Sequence, residues 1–360
     1  MQILKPTNLK AIKKAIKIGP KKVLELIKPL TGRGGAGFPT AKKWEFAIKT
    51  KEKVRYVICN SDEGEPGTFK DKFIIENNPE TLIEGILIAA FTIKAQKAFI
   101  YLRGEYEYLK SNLENAIHKI NPPIEIEIVV GAGAYVCGDE TAIIKSIEGF
   151  RGHPYYKPPF PPVEGLFGKP TVINNVETLT NVAQAVLFHD WNSNLRLYSL
   201  SGNVTKPGVY ELPVGTSLKT LIELGKPKNK VKAVYFGCFG GCMPYKNIEL
   251  TPKNVCGKNC AIGSFTIIVV DEKQSIPKLA ENIAEFYERE SCGKCTPCRE
   301  GTKRILDILR KINNGKGKKD DVETLEDLSK HIHETALCGL GKTATNHVLN
   351  ACLFFKKEFK

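Results

Sequence analysis

Four cysteines near the C-terminus have the spacing of iron–sulfur ligands. Cys292, Cys295 and Cys298 are each separated by two residues in ESCGKCTPCREG, and Cys338 follows in ALCGLG. A Cys-x-x-Cys-x-x-Cys run wraps a loop around a metal centre, and a distant fourth thiolate closes the site. Zinc is the alternative, although zinc sites usually combine two separated cysteine pairs. The spacing therefore predicts a 4Fe–4S cluster, which moves one electron at a time.

Four further cysteines form two evenly spaced pairs: Cys238 and Cys242 in FGCFGGCMPY, and Cys256 and Cys260 in NVCGKNCAIG. Two thiol pairs in glycine-containing loops are a usual layout for a four-thiolate zinc or iron–sulfur site. The alternative is that these cysteines are small buried apolar side chains, which is the common fate of a free thiol. If a metal binds, thiolate softness favours an iron–sulfur cluster over zinc.

A glycine-rich segment near the N-terminus could lie against a cofactor. TGRGGAGFPT contains G-x-G-x-x-G at Gly32, Gly34 and Gly37. The preceding KKVLELIKPL has a helical pattern, so an ordinary dinucleotide fingerprint, which follows a strand, is not predicted. Four glycines in six residues still let the backbone approach a ring or a phosphate. The alternative is a flexible turn.

Carboxylates and amides follow three segments of the α/β region. Open α/β sheets bind ligands outside the carboxyl ends of their strands, and these groups accept hydrogen bonds from ribose or ribityl hydroxyls. The alternatives are a solvated loop for the acidic residues and helix capping for the amides. The side chains are Asp62, Glu63 and Glu65 after the strand at 54–60, Asp139 and Glu140 after the strand at 124–133, and Asn174 and Asn175 in TVINNVETL.

The elements that must position these residues have three different patterns. Residues 1–195 alternate helix and strand patterns, which is typical of a three-layer α/β domain. Residues 196–275 indicate strands, a turn at Pro207-Gly208 and a short helix, as in a small α+β domain. Residues 276–360 indicate an all-α helical bundle that contains the cluster cysteines. The proline-rich HPYYKPPFPPVEG predicts a loop on the first domain.

The composition of the 360 residues is that of a globular protein, with a formal net charge of +14. The longest apolar stretch, LIEGILIAAFTI, contains Glu84 and is too short to insert into a membrane. The basic N-terminus predicts a surface helix rather than a signal peptide, so we expect a cytoplasmic chain in which eleven cysteines favour metal ligation over disulfides. The lysines are scattered and no nucleic-acid-binding motif is present, which indicates a solvated surface or one that docks an acidic partner.

Several motifs occur together in a fixed order: GRGGAGFPT, CNSDEGEPGTFKD, GAGAYVCGDETA, KPPFPP, NNVET and ESCGKCTPCREGT. The chain resembles the NADH-binding flavoprotein subunit of respiratory complex I, the NADH-quinone oxidoreductase. It also resembles the related diaphorase subunits of NAD-linked hydrogenases and formate dehydrogenases. The resemblance covers nearly the whole chain. It implies a Rossmann-like FMN- and NADH-binding domain, a β-grasp domain and a helical bundle with a 4Fe–4S cluster.

The resemblance also implies which residues contact the cofactors. Asp139 stands where the family usually has Glu. The residues implied for FMN are Gly32, Arg33, Gly34, Lys43, Asn60, Asp62, Tyr135, Gly138, Asp139, Asn174 and Asn175. Those implied for NADH are Phe46, Glu65, Glu140, Lys157 and Phe160.

The implied reaction is hydride transfer from NADH to FMN, followed by single-electron transfer to the 4Fe–4S cluster and on towards quinone. No side chain is expected to act as a catalytic acid or base, because FMN carries the chemistry. The implied partners are a thioredoxin-like subunit with a 2Fe–2S cluster and a large iron–sulfur subunit of complex I, of a hydrogenase or of a formate dehydrogenase. Through them the chain would lie peripherally on the cytoplasmic side of the inner membrane. The alternatives are a diaphorase subunit, or a scaffold that keeps the cluster but not the flavin.

Overall fold

The computed structural model describes residues 1–256 and 260–359, without the side chain of Cys256. They form two compact units. The first unit comprises residues 1–64 and 69–195. The second comprises residues 65–68 together with the described residues from 196 onward. The segment 65–68 belongs to the second unit although both of its flanks belong to the first.

The first unit contains four strands and seven helices among its described residues. The strands are β1 (Tyr56–Ser61), β2 (Lys97–Leu102), β3 (Glu125–Val130) and β4 (Thr171–Asn175). The helices are α1 (Lys10–Leu26), α2 (Thr40–Lys49), α3 (Lys70–Asn77), α4 (Pro79–Ile93), α5 (Lys110–Ile120), α6 (Glu140–Ile147) and α7 (Val176–Leu187). Short 3-10 turns occupy Gln2–Leu4, Gly104–Leu109, Tyr135–Gly138 and Leu166–Gly168.

The strands of the first unit form one parallel sheet in the order β3-β2-β1-β4. The buried run Val57-Ile58-Cys59 in β1 is the continuous apolar pattern of a parallel strand covered by helices. Helices α4 and α7 pack so closely that a Cβ at Gly85 would lie 1.9 Å from the Leu179 carbonyl oxygen. This parallel sheet is the Rossmann-like region that the sequence predicts.

The glycine-rich segment joins two helices, α1 and α2, so it does not follow a strand, as the sequence pattern indicates. Thr31 and Pro39 form an isolated antiparallel bridge, and the Gly32 amide donates to the Phe38 carbonyl at 2.8 Å. The segment is therefore a closed loop whose ends are tied together. The proline-rich segment at 153–165 is also a loop and contains no α-helix.

The second unit contains a mixed sheet followed by helices. Its strands are β5 (Leu195–Gly202), β6 (Gly208–Pro213), β7 (Val231–Tyr235), β8 (Cys242–Pro244) and β9 (Thr266–Asp271). Its helices are α8 (Leu218–Gly225), α9 (Pro252–Cys256), α10 (Ile276–Glu290), α11 (Thr296–Asn313), α12 (Asp321–Thr335), α13 (Gly339–Thr343) and α14 (Asn346–Phe355), with a final 3-10 turn at Lys356–Glu358.

The sheet of the second unit has the order β6-β5-β9-β7-β8, with β5 parallel to β9 and β7 antiparallel to both β8 and β9. One apolar core joins this sheet to the helices, since Tyr235 and Val270 pack in the same cluster as Leu309, Leu325 and Val348. The predicted fold class, with α/β, α+β and all-α parts, is confirmed. The predicted boundary at 275–276 lies within this shared core and stays a prediction.

None of the described helices combines the length and the apolar character needed to cross a membrane.

Candidate functional site

The carboxyl ends of β1 and β4 bring three asparagines to one edge of the parallel sheet. In the register of these strands, Asn60 pairs with Asn175 and Cys59 pairs with Asn174. The Asn60 amide nitrogen donates to the Gly138 carbonyl at 2.9 Å, and its oxygen accepts from the Asp62 amide at 3.0 Å. Asn60 therefore fixes both the acidic loop after β1 and the turn before α6.

The side chains of the two asparagines of β4 are hydrogen-bonded to different parts of the first unit. The Trp44 indole nitrogen in α2 donates to the Asn174 side-chain oxygen at 2.8 Å. The Asn175 oxygen accepts from the Glu177 amide at 3.0 Å and so caps α7, as the capping alternative predicted. The Asn175 amide nitrogen also donates to the Asp71 carboxylate. Both side chains are thus oriented by partners before any ligand binds.

The glycine loop lies beside this edge and leaves its backbone accessible. A Cβ at Gly34 would lie 3.3 Å from the Asn175 Cβ, which places the loop directly against β4. Gly35 and Gly37 have φ values of 113° and 65°, and no described atom lies within 4 Å of a Cβ built at either position. These left-handed positions favour glycine and leave space above the main chain. A planar ring or a phosphate group fits such a cradle, so these residues are compatible with bound FMN.

Arg33 lies beneath the loop and is only 4% exposed. Its amide donates to the Thr178 hydroxyl at 2.9 Å, and its guanidinium donates to the Ser193 carbonyl at 2.9 Å. Burial lowers the pKa of Arg33 to about 10, opposed by the nearby charge of Glu177. Its Nε and Nη1 atoms are buried without a hydrogen-bond partner among the described residues. The loop therefore carries a buried positive charge, which favours an anionic ligand above it.

The remaining residues implied for FMN lie around the start of α6. The Lys43 ammonium pairs with the Glu140 carboxylate and donates to the Ile173 carbonyl at 3.0 Å. Asp139 caps α6 by accepting from the Thr141 amide at 2.8 Å. The shorter carboxylate at position 139 is therefore used within the chain as a helix cap.

Tyr135 and Gly138 complete this part of the site. A Cβ at Gly64 would lie 2.8 Å from the Tyr135 ring, and one at Gly138 would lie 3.5 Å from the Asp62 carbonyl oxygen. The turn Tyr135–Gly138 is thus packed against the loop that follows β1. The structure brings together the FMN residues that the resemblance implies.

Within the described part of the chain, four of the five residues implied for NADH make no side-chain hydrogen bond or ion pair with the residues implied for FMN. Phe46 and Phe160 are 39% and 55% exposed, and Lys157 is also exposed on the proline-rich loop. Glu65 belongs to the second unit, where its carboxylate accepts from the Ser264 hydroxyl at 2.6 Å and the Phe239 amide at 3.1 Å. Burial raises the pKa of Glu65, and those hydrogen bonds oppose the rise. The roles of all four in NADH binding stay predictions.

Sequence reasoning missed a buried ionic network next to Asn175. The Lys70 ammonium lies 2.6 Å from Asp71, 3.1 Å from Glu177 and 3.3 Å from the Asn175 side-chain oxygen. The side chains of Lys70, Asp71 and Glu177 are at most 5% exposed. The lysine therefore holds the two acids together and helps to orient Asn175. The one sequence signal for this network was that its residues lie within the FKD and NNVET motifs.

Glu63 joins this network from the acidic loop. Its carboxylate accepts from the amides of Asp71 at 2.9 Å and Lys72 at 3.0 Å, which are in the first turn of α3. Burial raises the pKa of Glu63 to about 8, and the neighbouring charge of Asp71 adds to the rise. Glu63 thus serves the helix start, and its carboxylate is not available for the hydroxyl recognition that the acidic loop suggested.

Three of the four C-terminal cysteines lie at the starts of two helices, and Cys292 lies in the loop before α11. Cys295 precedes the first residue of α11 and Cys298 lies in its first turn, while Cys338 precedes α13. Burial raises the pKa of Cys298 to about 11, and charge repulsion from Cys295, Cys338 and Cys292 adds to the rise. All four thiols are therefore close enough to interact, and the first-turn amides of both helices can donate to sulfur.

No group of three or more His, Cys, Asp or Glu side chains among the described residues is arranged to hold a single metal ion. A 4Fe–4S cluster binds each thiolate to a different iron, so its ligands do not converge on one point. A zinc site requires that convergence at about 2.3 Å from each sulfur. The spacing of the four C-terminal thiols, three in a Cys-x-x-Cys-x-x-Cys run and one distant, fits a 4Fe–4S cluster.

The second cysteine set is only partly described, because the side chain of Cys256 lies outside the described part of the chain. Cys238, Cys242 and Cys260 are all buried. Cys260 lies 3.4 Å from the Cys242 carbonyl oxygen, whereas the pKa of the Cys238 thiol, raised by burial, also responds to Glu65. Among the described residues, these three thiols form no group that would hold a single metal ion. A cluster or a zinc ion on the four cysteines stays a prediction.

Comparisons with known proteins match two domains of this chain. Residues 28–184 match the Nuo51 FMN-binding domain, and residues 278–360 match the NADH-ubiquinone oxidoreductase-F iron-sulfur binding region. The chain is 41% identical to the F subunit of the NADH-quinone oxidoreductase of Aquifex aeolicus, over 100% of this chain and 90% of the relative. It is 37% identical to the NADP-reducing hydrogenase subunit HndC of Solidesulfovibrio fructosivorans, over 96% and 77%.

Among solved structures, an NAD⁺-reducing [NiFe]-hydrogenase in the H₂-reduced state has a chain with a TM-score of 0.90 and 37% identity. The match covers 99% of this chain, which spans 65% of that hydrogenase chain. Each of these similarities extends over nearly the whole of this chain. The chain belongs to the family of NADH-quinone oxidoreductase F subunits.

Proposed function

We propose that this chain oxidises NADH with bound FMN and passes the electrons singly to a 4Fe–4S cluster on Cys292, Cys295, Cys298 and Cys338. When bound, FMN supplies the chemistry by which two electrons are taken up together as a hydride and released one at a time. The chain's own residues orient the two ring systems and limit the access of water. The observation that carries the proposal is the edge where Asn60, Asn174 and Asn175 meet the open glycine loop.

In this proposal the FMN site has a polar and a cationic side. Asn60, Asn174, Asn175 and Asp62 offer hydrogen bonds to ring and ribityl groups, and Trp44 and Gly138 hold two of them in place. The glycine loop, with Arg33 buried beneath it, favours the phosphate end. Lys43, Tyr135 and the turn at Gly138 and Asp139 form the rest of the site.

The nicotinamide nucleotide would lie against the flavin and the exposed side chains of Phe46, Lys157 and Phe160. Glu140, which pairs with Lys43, would accept from a ribose hydroxyl and repel a 2′-phosphate. We therefore expect a higher kcat/KM for NADH than for NADPH. The preference needs testing because the relative from Solidesulfovibrio fructosivorans is named NADP-reducing. Comparable kcat/KM values of this chain for NADH and NADPH would show that Glu140 does not select against the 2′-phosphate.

The relatives belong to complexes of several subunits. We propose that this chain delivers electrons to a thioredoxin-like 2Fe–2S subunit and a large iron–sulfur subunit of a quinone-reducing complex I. The proposed location is the cytoplasmic side of the inner membrane, with attachment through those partners. The similarity to an NAD⁺-reducing hydrogenase supports a second candidate, a diaphorase that runs towards NAD⁺ reduction. The subunits that co-purify with the chain separate these two candidates.

The flavin site is tested by replacing Asp62 with alanine. A buried hydrogen-bonding group left without its partner costs about 1–3 kcal/mol, so Asp62→Ala should yield protein with little FMN after gel filtration. Glu76→Ala is the control, because Glu76 is an exposed acid of the same unit whose salt bridge with Lys72 is 3.6 Å long. Full FMN content in Asp62→Ala, equal to that of the control, would remove the acidic loop from the flavin site.

A further inference from the structure

A serine hydroxyl contacts one of the cluster cysteines. Ser291 directly follows the last residue of α10 and precedes Cys292, yet its Oγ lies 3.3 Å from the sulfur of Cys298, seven residues further on. The Gly293 amide donates to the same Oγ at 3.4 Å. In the free thiol either atom of this pair can donate. A thiolate bound to iron carries no proton, so with a cluster in place the hydroxyl is the donor and the sulfur the acceptor.

The loop that carries Ser291 is held in this conformation by the backbone of Gly293 and the side chain of Arg299. Gly293 has a φ of 76°, a left-handed value that favours glycine, and its carbonyl accepts from the Arg299 guanidinium at 2.7 Å. Arg299 is in α11, one residue beyond Cys298. The guanidinium therefore ties the loop to the helix that carries the sulfur, and the hydroxyl stays within reach of it.

Cys298 is equally fixed on the helix side. Its residue is 6% exposed, and its carbonyl accepts from the Thr302 hydroxyl at 2.7 Å. Gly341 packs so closely that a Cβ there would lie 2.6 Å from the Ala336 Cβ and 3.2 Å from the Cys298 Cβ. The contact between Ser291 and Cys298 is therefore partly buried, with the sulfur on its buried side, and hydrogen bonds away from water are stronger than in it.

We propose that Ser291 donates a hydrogen bond to the Cys298 thiolate and thereby raises the reduction potential of the 4Fe–4S cluster; this inference rests on the proposed function. A cluster gains negative charge when it takes up an electron, and part of that charge resides on its sulfur ligands. A donor aimed at a ligand sulfur stabilises the reduced state more than the oxidised state. Ser291 is thus a positioning residue that makes the cluster a better electron acceptor.

The test is an anaerobic potentiometric titration of the purified protein, followed by low-temperature EPR of the reduced cluster. Ser291→Ala should lower the equilibrium constant for reduction about three- to tenfold, which is about 28–59 mV at 59 mV per tenfold for one electron. Ser291→Thr retains the hydroxyl and should stay close to wild type. Ser291→Val has the shape of threonine without the hydroxyl and should match Ser291→Ala, which separates hydrogen bonding from packing.

Thr296→Ala is the control for a general effect of removing a hydroxyl near the cysteines. Thr296 opens α11, and its Oγ1 accepts from Arg299 at 3.4 Å. Its loss should leave the potential within twofold of wild type in equilibrium constant. Iron and sulfide analysis of each variant shows whether the cluster is assembled before its potential is compared.

The outcomes distinguish this inference from the proposed function. Wild-type protein with no reduced-cluster EPR signal would overturn the proposed function. A wild-type signal with equal potentials in wild type, Ser291→Ala and Ser291→Val would overturn the role of Ser291 alone. Equal potentials in Ser291→Thr and Ser291→Val would do the same, even if both differ from wild type, because the change would then arise from packing.

Discussion

Lys70 is the charged residue whose replacement most severely tests the buried network behind Asn175. Its ammonium is 2% exposed and lies 2.6 Å from Asp71 and 3.1 Å from Glu177, whose side chains are 5% and 3% exposed. Methionine has a similar length and leaves little cavity, but it removes both charged hydrogen bonds. Hydrogen bonds to charged groups are each worth about 1.5–3 kcal/mol. Breaking a buried ion pair on one side costs about 3–5 kcal/mol.

We therefore expect Lys70→Met to lower the free energy of unfolding of the first unit by about 3–5 kcal/mol at neutral pH. Both tryptophans of the chain, Trp44 and Trp191, belong to that unit, so urea denaturation followed by tryptophan fluorescence reports on it alone. All variants should be compared without FMN, because a bound ligand adds its own stabilisation.

Lys72→Met is the matched control, two residues away on the same helix. The Lys72 side chain is 37% exposed, and its ammonium lies 3.6 Å from the Glu76 carboxylate. Surface ion pairs of this kind are worth less than about 1 kcal/mol. The double variant Lys70→Met, Glu177→Gln should recover part of the loss, because one unpaired buried acid is then neutral. A loss for Lys70→Met no larger than that for Lys72→Met would refute the reasoning.

Three further predictions concern the pH dependence of stability and the two cysteine sets. The pKa of Glu63 is raised to about 8, so the folded state keeps a proton that the unfolded chain releases at about pH 4.3. The contribution of this group to the free energy of unfolding of the first unit therefore falls as pH rises from about 4.3 to 8. Glu63→Gln should flatten that fall in urea denaturation across this range, and an unchanged slope would contradict the assignment. Cys295→Ser should abolish the reduced-cluster EPR signal while NADH oxidation by an artificial acceptor of flavin electrons survives in part, and an unchanged signal would remove Cys295 from the ligands. A second cluster on Cys238, Cys242, Cys256 and Cys260 predicts about eight irons per chain in place of about four; four irons and no zinc would leave only the C-terminal cluster.

Features that depend on local pattern could be predicted from the sequence. The pattern of VRYVICN predicted the strand at 54–60, which overlaps β1, and the helical pattern before the glycine loop correctly argued against an ordinary dinucleotide fingerprint. The cap at Asn175 also followed from its position before α7. Each of these depends on neighbours within a few residues, where the chemistry of the backbone decides the structure.

Features that depend on distant parts of the chain could not be predicted. Glu63 and Glu65 are two residues apart, yet Glu63 caps α3 in the first unit and Glu65 accepts from Ser264 in the second. The burial of Lys70 has no local signal, because its partner Glu177 lies 107 positions further along the sequence. Nothing in the local sequence links Ser291 to Cys298, and only the return of the loop to α11 brings the two together.

The central claim is that NADH supplies electrons through bound flavin to the C-terminal cluster. The most direct measurement is anaerobic addition of NADH to the purified wild-type protein, with flavin absorbance and low-temperature EPR recorded on the same samples. We expect that the flavin absorbance falls and that a reduced-cluster EPR signal appears in wild type but not in Cys295→Ser. A flavin that bleaches with no EPR signal in wild type, or a protein with no flavin absorbance at all, would contradict it.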